Sequence, residues 1–65
     1  MLTKEQVKKI KTKIFFNKLN NIYPQTNQEL CDMLGFSRQA LYYVSNKKVN
    51  MAIVEKKVID WLEEN

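Results

Sequence analysis

Sixty-five residues, 45% of them apolar, allow one domain near the lower size limit for an unassisted hydrophobic core and leave no room for a separate sensor domain. A formal charge of +4 without histidine favours an anionic partner, and a lone cysteine excludes an internal disulfide and argues against zinc. No apolar run approaches a membrane span or a signal-peptide core, so the expected setting is a reducing cytoplasm, with no cofactor, metal, membrane or small-molecule ligand.

One glycine, one proline and frequent helix formers predict an all-α chain, a compact bundle of about four helices near 4-20, 27-34, 38-46 and 51-64. Thr3 and Gln6 form a capping box for the first helix, which should run to about Asn20. Val7, Ile10 and Ile14 make its inward stripe, and Phe15, Phe16 and Leu19 are expected to widen that surface where the helix meets the rest of the domain. Lys4, Lys8, Lys11 and Lys18 line one flank. Lys9 and Lys13 lie on another and read as a solvated face. Pro24 forbids continuation, so Asn20, Asn21, Tyr23 and Gln25 become a connector.

The second helix opens on Thr26 and Glu29, a T-x-x-E capping box, and should start at Asn27. Leu30, Cys31 and Leu34 form its apolar stripe, which makes Cys31 a small buried residue. Gly35 stands where a helix end favours a left-handed residue. Phe36 can fill the space between the helices, Ser37 can cap the third, and Leu41 with Val44 gives that helix an inward face. Two short helices around a glycine turn make a helix-turn-helix, although such corners also occur in helical proteins that never touch DNA. Arg38, Gln39, Tyr42, Tyr43 and Asn46 are left outward or sideways. The last helix, with Asn50 as its expected cap, carries Met51, Val54, Val58, Ile59, Trp61 and Leu62 on a broad apolar face.

Charge follows this plan unevenly. Residues 1–50 carry nine basic and three acidic side chains, formally +6, and residues 51–65 carry two basic and four acidic ones, formally −2. The basic part coincides with the helix-turn-helix side of the chain, through the lysines of the first helix and Lys47 and Lys48, a field that attracts a polyanion.

The stretch TNQELCDMLGFSRQALYYVSN, residues 26–46, resembles the helix-turn-helix of the phage Cro and repressor (Xre-like) family. The likeness covers about twenty residues. It rests on Leu30, the small Cys31, Gly35, the apolar Phe36, Ser37, Leu41 and Val44, with Ser37 to Leu41 especially like the start of that family's recognition helices. Tyr42 and Tyr43 are bulkier than usual, and Asn27 stands where many members carry glutamine.

What the resemblance implies is a small sequence-specific DNA-binding regulator, Cro-like in having no effector domain, serving a phage, plasmid or similar element as a repressor or activator. Ser37, Arg38, Gln39 and Tyr42 would lie nearest base edges, with Tyr43 and Asn46 further along. Arg38 can donate twice to guanine, Gln39 can pair with adenine, and a tyrosine can meet a thymine methyl or a phosphate. Either tyrosine can instead pack sideways against the first or last helix. Thr26, Asn27 and Gln28, with backbone N–H groups, can hold a phosphate, as can Lys47 and Lys48 beyond the recognition helix.

A single short helix reads few base pairs, so a homodimer on a palindromic double-stranded operator is expected, with Val58, Trp61 and Leu62 as candidate interface. Trp61 serves equally well as core. Two other readings stay open: a protein-binding module such as an antirepressor or antitoxin, and an excisionase-like DNA-architectural protein. An enzyme is not expected, since there is no histidine, the thiol is inward, no carboxylates pair, and Glu29 and Asp32 read as solvent-facing.

Overall fold

Thr3 begins the first helix as its sequence requires. Its Oγ1 accepts from the Gln6 backbone N–H (3.1 Å), and the Gln6 side chain accepts from the Thr3 N–H (2.9 Å), so two orphan donors are satisfied reciprocally. The computed structural model describes residues 1–46 and 49–64. Among these it contains four helices and no strand: α1 (Lys4–Leu19), α2 (Asn27–Leu34), α3 (Arg38–Asn46) and α4 (Ala52–Glu63).

α2 and α3 pack on one another, and α4 closes the bundle against both α1 and α3. The core gathers Leu2, Ile10 of α1, Leu30 and Cys31 of α2, Ala40, Leu41 and Val44 of α3, and Val54, Val58 and Trp61 of α4. Leu2 is tied in by its backbone N–H, which donates to the Val44 carbonyl (2.9 Å). The radius of gyration, 10.9 Å, is that of a close-packed chain of this length.

Three expectations need correction. Phe15, Phe16 and Leu19 do not join the core; all three are exposed. The buried side of α1 near its end is taken by Asn17, whose Nδ2 donates to the Pro24 carbonyl (3.1 Å) while the Ile22 N–H donates to the Asn17 carbonyl (2.8 Å). That folds the connector under α1 and turns its two phenylalanines outward. Asn50 does not cap α4; the cap position is Met51, which makes no side-chain hydrogen bond there. Asn50 instead accepts from the Met1 ammonium (2.7 Å), and Glu55 reaches back one turn to accept from the Met51 N–H (2.8 Å). The box at α2 is also shifted. Thr26 caps Glu29 N–H (3.1 Å), but the Glu29 carboxylate accepts from Gln25 rather than from Thr26 itself (2.8 Å).

Candidate nucleic-acid interface

The turn between α2 and α3 is built by its one glycine. Gly35 adopts φ 86°, the left-handed region, and its N–H donates to the Cys31 carbonyl (2.8 Å), closing α2. Phe36 follows half-buried against the core, as expected for a plug. Ser37 then caps α3, its Oγ accepting from the Ala40 N–H (3.1 Å). A contact the residues did not announce braces this corner: Lys57 of α4 donates from Nζ to the Leu34 carbonyl (3.0 Å), satisfying an orphan acceptor at the end of α2.

With Ala40, Leu41 and Val44 buried, α3 turns its other side to solvent. Ser37, Arg38, Gln39, Tyr42 and Asn46 are exposed, and Tyr43 is half-buried. The two tyrosine rings sit 6.0 Å apart at a 54° tilt. Gln39 donates from Nε2 to the Tyr43 hydroxyl (2.7 Å), so Tyr43 orients Gln39 from the edge of the surface. Asn46 folds back, its Nδ2 donating to the Tyr42 carbonyl (3.2 Å).

At the start of α2, Thr26, Asn27 and Gln28 are exposed, and Gln28 Nε2 donates to the Asp32 carboxylate (2.8 Å). Lys47 and Lys48 lie outside the described residues. Lys11 of α1 takes a position sequence reasoning left open. Together with Asn27, Ser45 and Asn46 it rims a cleft of about 120 Å³ between α1, the start of α2 and the end of α3. The signal was present in its spacing, since Lys11 directly follows the inward Ile10 and stands one turn beyond Val7. Lys4 borders the same end of α3, beside Ser45 and Asn46.

Two of the three interface candidates of α4 are core. Val58 is fully buried and Trp61 nearly so, while Leu62 is half-buried, so the α4 face that looked broad enough to serve a partner is spent inside one chain. Trp61 is further covered by Lys13, whose ammonium lies 4.5 Å from the ring centroid and donates to the Trp61 carbonyl and to the Glu64 carbonyl (3.2 Å). Lys13 is therefore no solvated lysine.

Cys31 is buried, and burial pushes its thiol above the ordinary value, with the neighbouring Asp32 carboxylate adding to the rise and Arg38 opposing it. A thiol so placed is a packing residue rather than a nucleophile. Among the described residues no group of three metal-ligating side chains occurs, and no helix is long and apolar enough to cross a membrane. No protein-family model matches the chain, and no curated protein or solved structure matches it.

Proposed function

We propose that this chain is a small sequence-specific DNA-binding regulator of a prokaryotic cytoplasm, Cro-like, which acts by occupying an operator with α3 in the major groove. The observation that carries the reading is the division of α3: Ala40, Leu41 and Val44 are consumed by the core, and Arg38, Gln39 and Tyr42 stand exposed beyond a capped glycine turn. Arg38 supplies a bidentate donor for guanine, and Gln39, held by Tyr43, a donor and acceptor for adenine. Each such pair discriminates against the wrong base by about 1–3 kcal/mol.

Phosphates are taken at the edges of this surface. Asn27 and Gln28 offer side chains beside the backbone N–H groups that open α2, and Lys11 and Lys4 add positive charge at the far end of α3. Lys47 and Lys48 extend the same charge in sequence. Nothing in this arrangement calls for a cofactor or a catalytic step.

Footprinting on the DNA upstream of its own coding region tests the reading. Arg38→Ala and Gln39→Ala should lose protection at particular base pairs. Lys11→Ala should instead weaken every sequence alike and lower the salt slope by about one. A footprint untouched by both α3 substitutions would sink the assignment. Binding that is weak, uniform across sequences and abolished by modest salt would favour a protein-binding module, the reading that the exposed Phe15, Phe16 and Leu19 keep in play.

A further inference from the structure

α1 carries two apolar sides. Ile10, Ile14 and Asn17 face the bundle; at 100° per residue Lys8, Thr12, Phe15, Phe16 and Leu19 lie on the opposite side. There Phe15 is 63% exposed, Phe16 57% and Leu19 70%, and Ile22 and Tyr23 of the connector add two half-exposed side chains beside them. At the usual size of such side chains this is on the order of 550 Å² of apolar surface, the upper end of what a soluble monomer leaves bare. Phe16 also separates two grooves shared with α4, one of about 730 Å³ bordered by Lys8, Lys9 and Leu62, the other of about 480 Å³ bordered by Ile22, Tyr23 and Trp61.

Charge is sorted across the same face. The α1 side of the larger groove bears Lys8 and Lys9, the latter in only a long surface ion pair with Glu5 (3.7 Å). Glu5 lines that groove too, and the acidic end of α4 lies across Phe16, where the exposed Glu64 borders the smaller groove and the exposed Glu63 precedes it. A two-fold interface must be complementary to itself, each patch meeting the other's opposite. A basic border and an acidic border flanking one apolar floor meet that condition. Two copies of the apolar area come to about 1,100 Å², close to the lower bound for a specific interface before any polar rim is counted.

We propose that the outward face of α1, with the end of α4, is where a second copy of this chain docks, Phe15, Phe16 and Leu19 forming the buried centre and Lys8 and Lys9 meeting the partner's acidic α4 end. None of Lys8, Lys9, Phe15, Phe16 and Leu19 lines the cleft that Val7 and Lys11 of α1 share with the end of α3, although Phe15 follows Lys11 by one turn. The proposal extends the DNA-binding reading without depending on it.

Sedimentation of the chain without DNA, at about 10–100 µM in moderate salt, reads the outcome directly. The wild type should dimerise, and Phe16→Glu and Leu19→Glu should each weaken the dimer about tenfold or more. Both side chains are largely in solvent, so circular dichroism should show the helices and the melting transition retained. Glu63→Lys with Glu64→Lys should weaken the dimer as well, and adding Lys8→Glu with Lys9→Glu should restore it.

A wild type that stays monomeric over that range overturns the proposal. So does a dimer that withstands both apolar-to-acid substitutions, a charge swap without rescue, or a monomer that binds only an added acidic amphipathic peptide. A monomer that still footprints a specific sequence removes this interface and leaves the DNA reading standing; a dimer that retains no DNA does the reverse.

Discussion

The helix-turn-helix and the α1–α4 layer hold themselves together by different means. From residue 26 to residue 46 the helix ends are closed by residues three or four positions away: Thr26 on Glu29, Gly35 on Cys31, Ser37 on Ala40. Between α1 and α4 the closing groups come from far along the chain: Lys13 on the Trp61 and Glu64 carbonyls, the Met1 ammonium on Asn50 and Glu55. One region is stabilised by short-range caps that form with the helices themselves. α1 and α4 also carry local contacts at their starts, Thr3 with Gln6 and Glu55 on Met51, but the Lys13 and Met1 ammonium groups reach their distant partners only once the bundle is assembled. Lys57 joins the two, reaching from α4 to the end of α2.

If both regions share one core, damage at the centre of the helix-turn-helix must spread to the other layer. Leu30 has no exposed surface, and Leu30→Ala removes a buried side chain at a cost of about 2–5 kcal/mol. A domain of this length commands only about 3–10 kcal/mol in all. Chemical denaturation should therefore show a single transition at much lower denaturant, or no folded baseline. A biphasic curve with α1 and α4 persisting would separate the two regions.

Gly35→Ala tests the local caps with less force. An added Cβ would meet only the Lys57 Nζ at 3.6 Å, ordinary contact, so crowding is not the cost. The backbone is: φ 86° is unfavourable to a side chain by about 1–2 kcal/mol. Gly35→Asn should recover part of that loss, since asparagine tolerates the left-handed region. Equal destabilisation by alanine and asparagine in thermal melts would point to contact with Lys57 instead.

Smaller again is the long-range clasp of α1 on α4. Lys13→Met keeps the stem over Trp61 but loses the ammonium, its ring contact and its two carbonyl bonds, for an expected loss of about 1 kcal/mol. Lys13→Ala should cost more, because the stem covers the ring as well. Trp61 emission should report the difference, shifting to the red more in the alanine variant. Identical melts for both variants and wild type would reduce the clasp to a surface contact.

This contrast also decides what could be read from the residues alone. Helix positions in the helix-turn-helix follow from three- and four-residue spacings, and the caps at Thr26, Gly35 and Ser37 appear where those spacings place them. The exposed Arg38, Gln39, Tyr42 and Asn46 follow in turn from the inward Leu41 and Val44. Lys13 was illegible because its partner is a backbone carbonyl, which has no residue signature. Phe15, Phe16 and Leu19 were misread for a related reason: apolar character marks a side chain for burial but not the surface that will bury it, and Asn17 with the Pro24 carbonyl had already taken the inner side. Asn50 met the rule for a cap and was diverted by the Met1 ammonium, 49 positions away.

The start of α4 gives the smallest effect and one that pH can isolate. Glu55 takes a hydrogen bond from the Met1 ammonium, in a 2.9 Å ion pair, and another from the Met51 N–H, and these hold its carboxyl below the usual value against a small opposing penalty from burial. A carboxyl lower in the folded chain than in the unfolded one stabilises the fold in full above the unfolded-state value near ~4.3, and that contribution is lost as pH falls through the folded value. The melting temperature of wild type should therefore exceed that of Glu55→Gln by a constant small margin from neutral pH down to about 5. Below about 4 the margin should close, because the wild-type carboxyl then becomes as neutral as the amide. A margin that widens on acidification would reverse the sign, and α4 would then have to be closed at its start by something other than a charged Glu55.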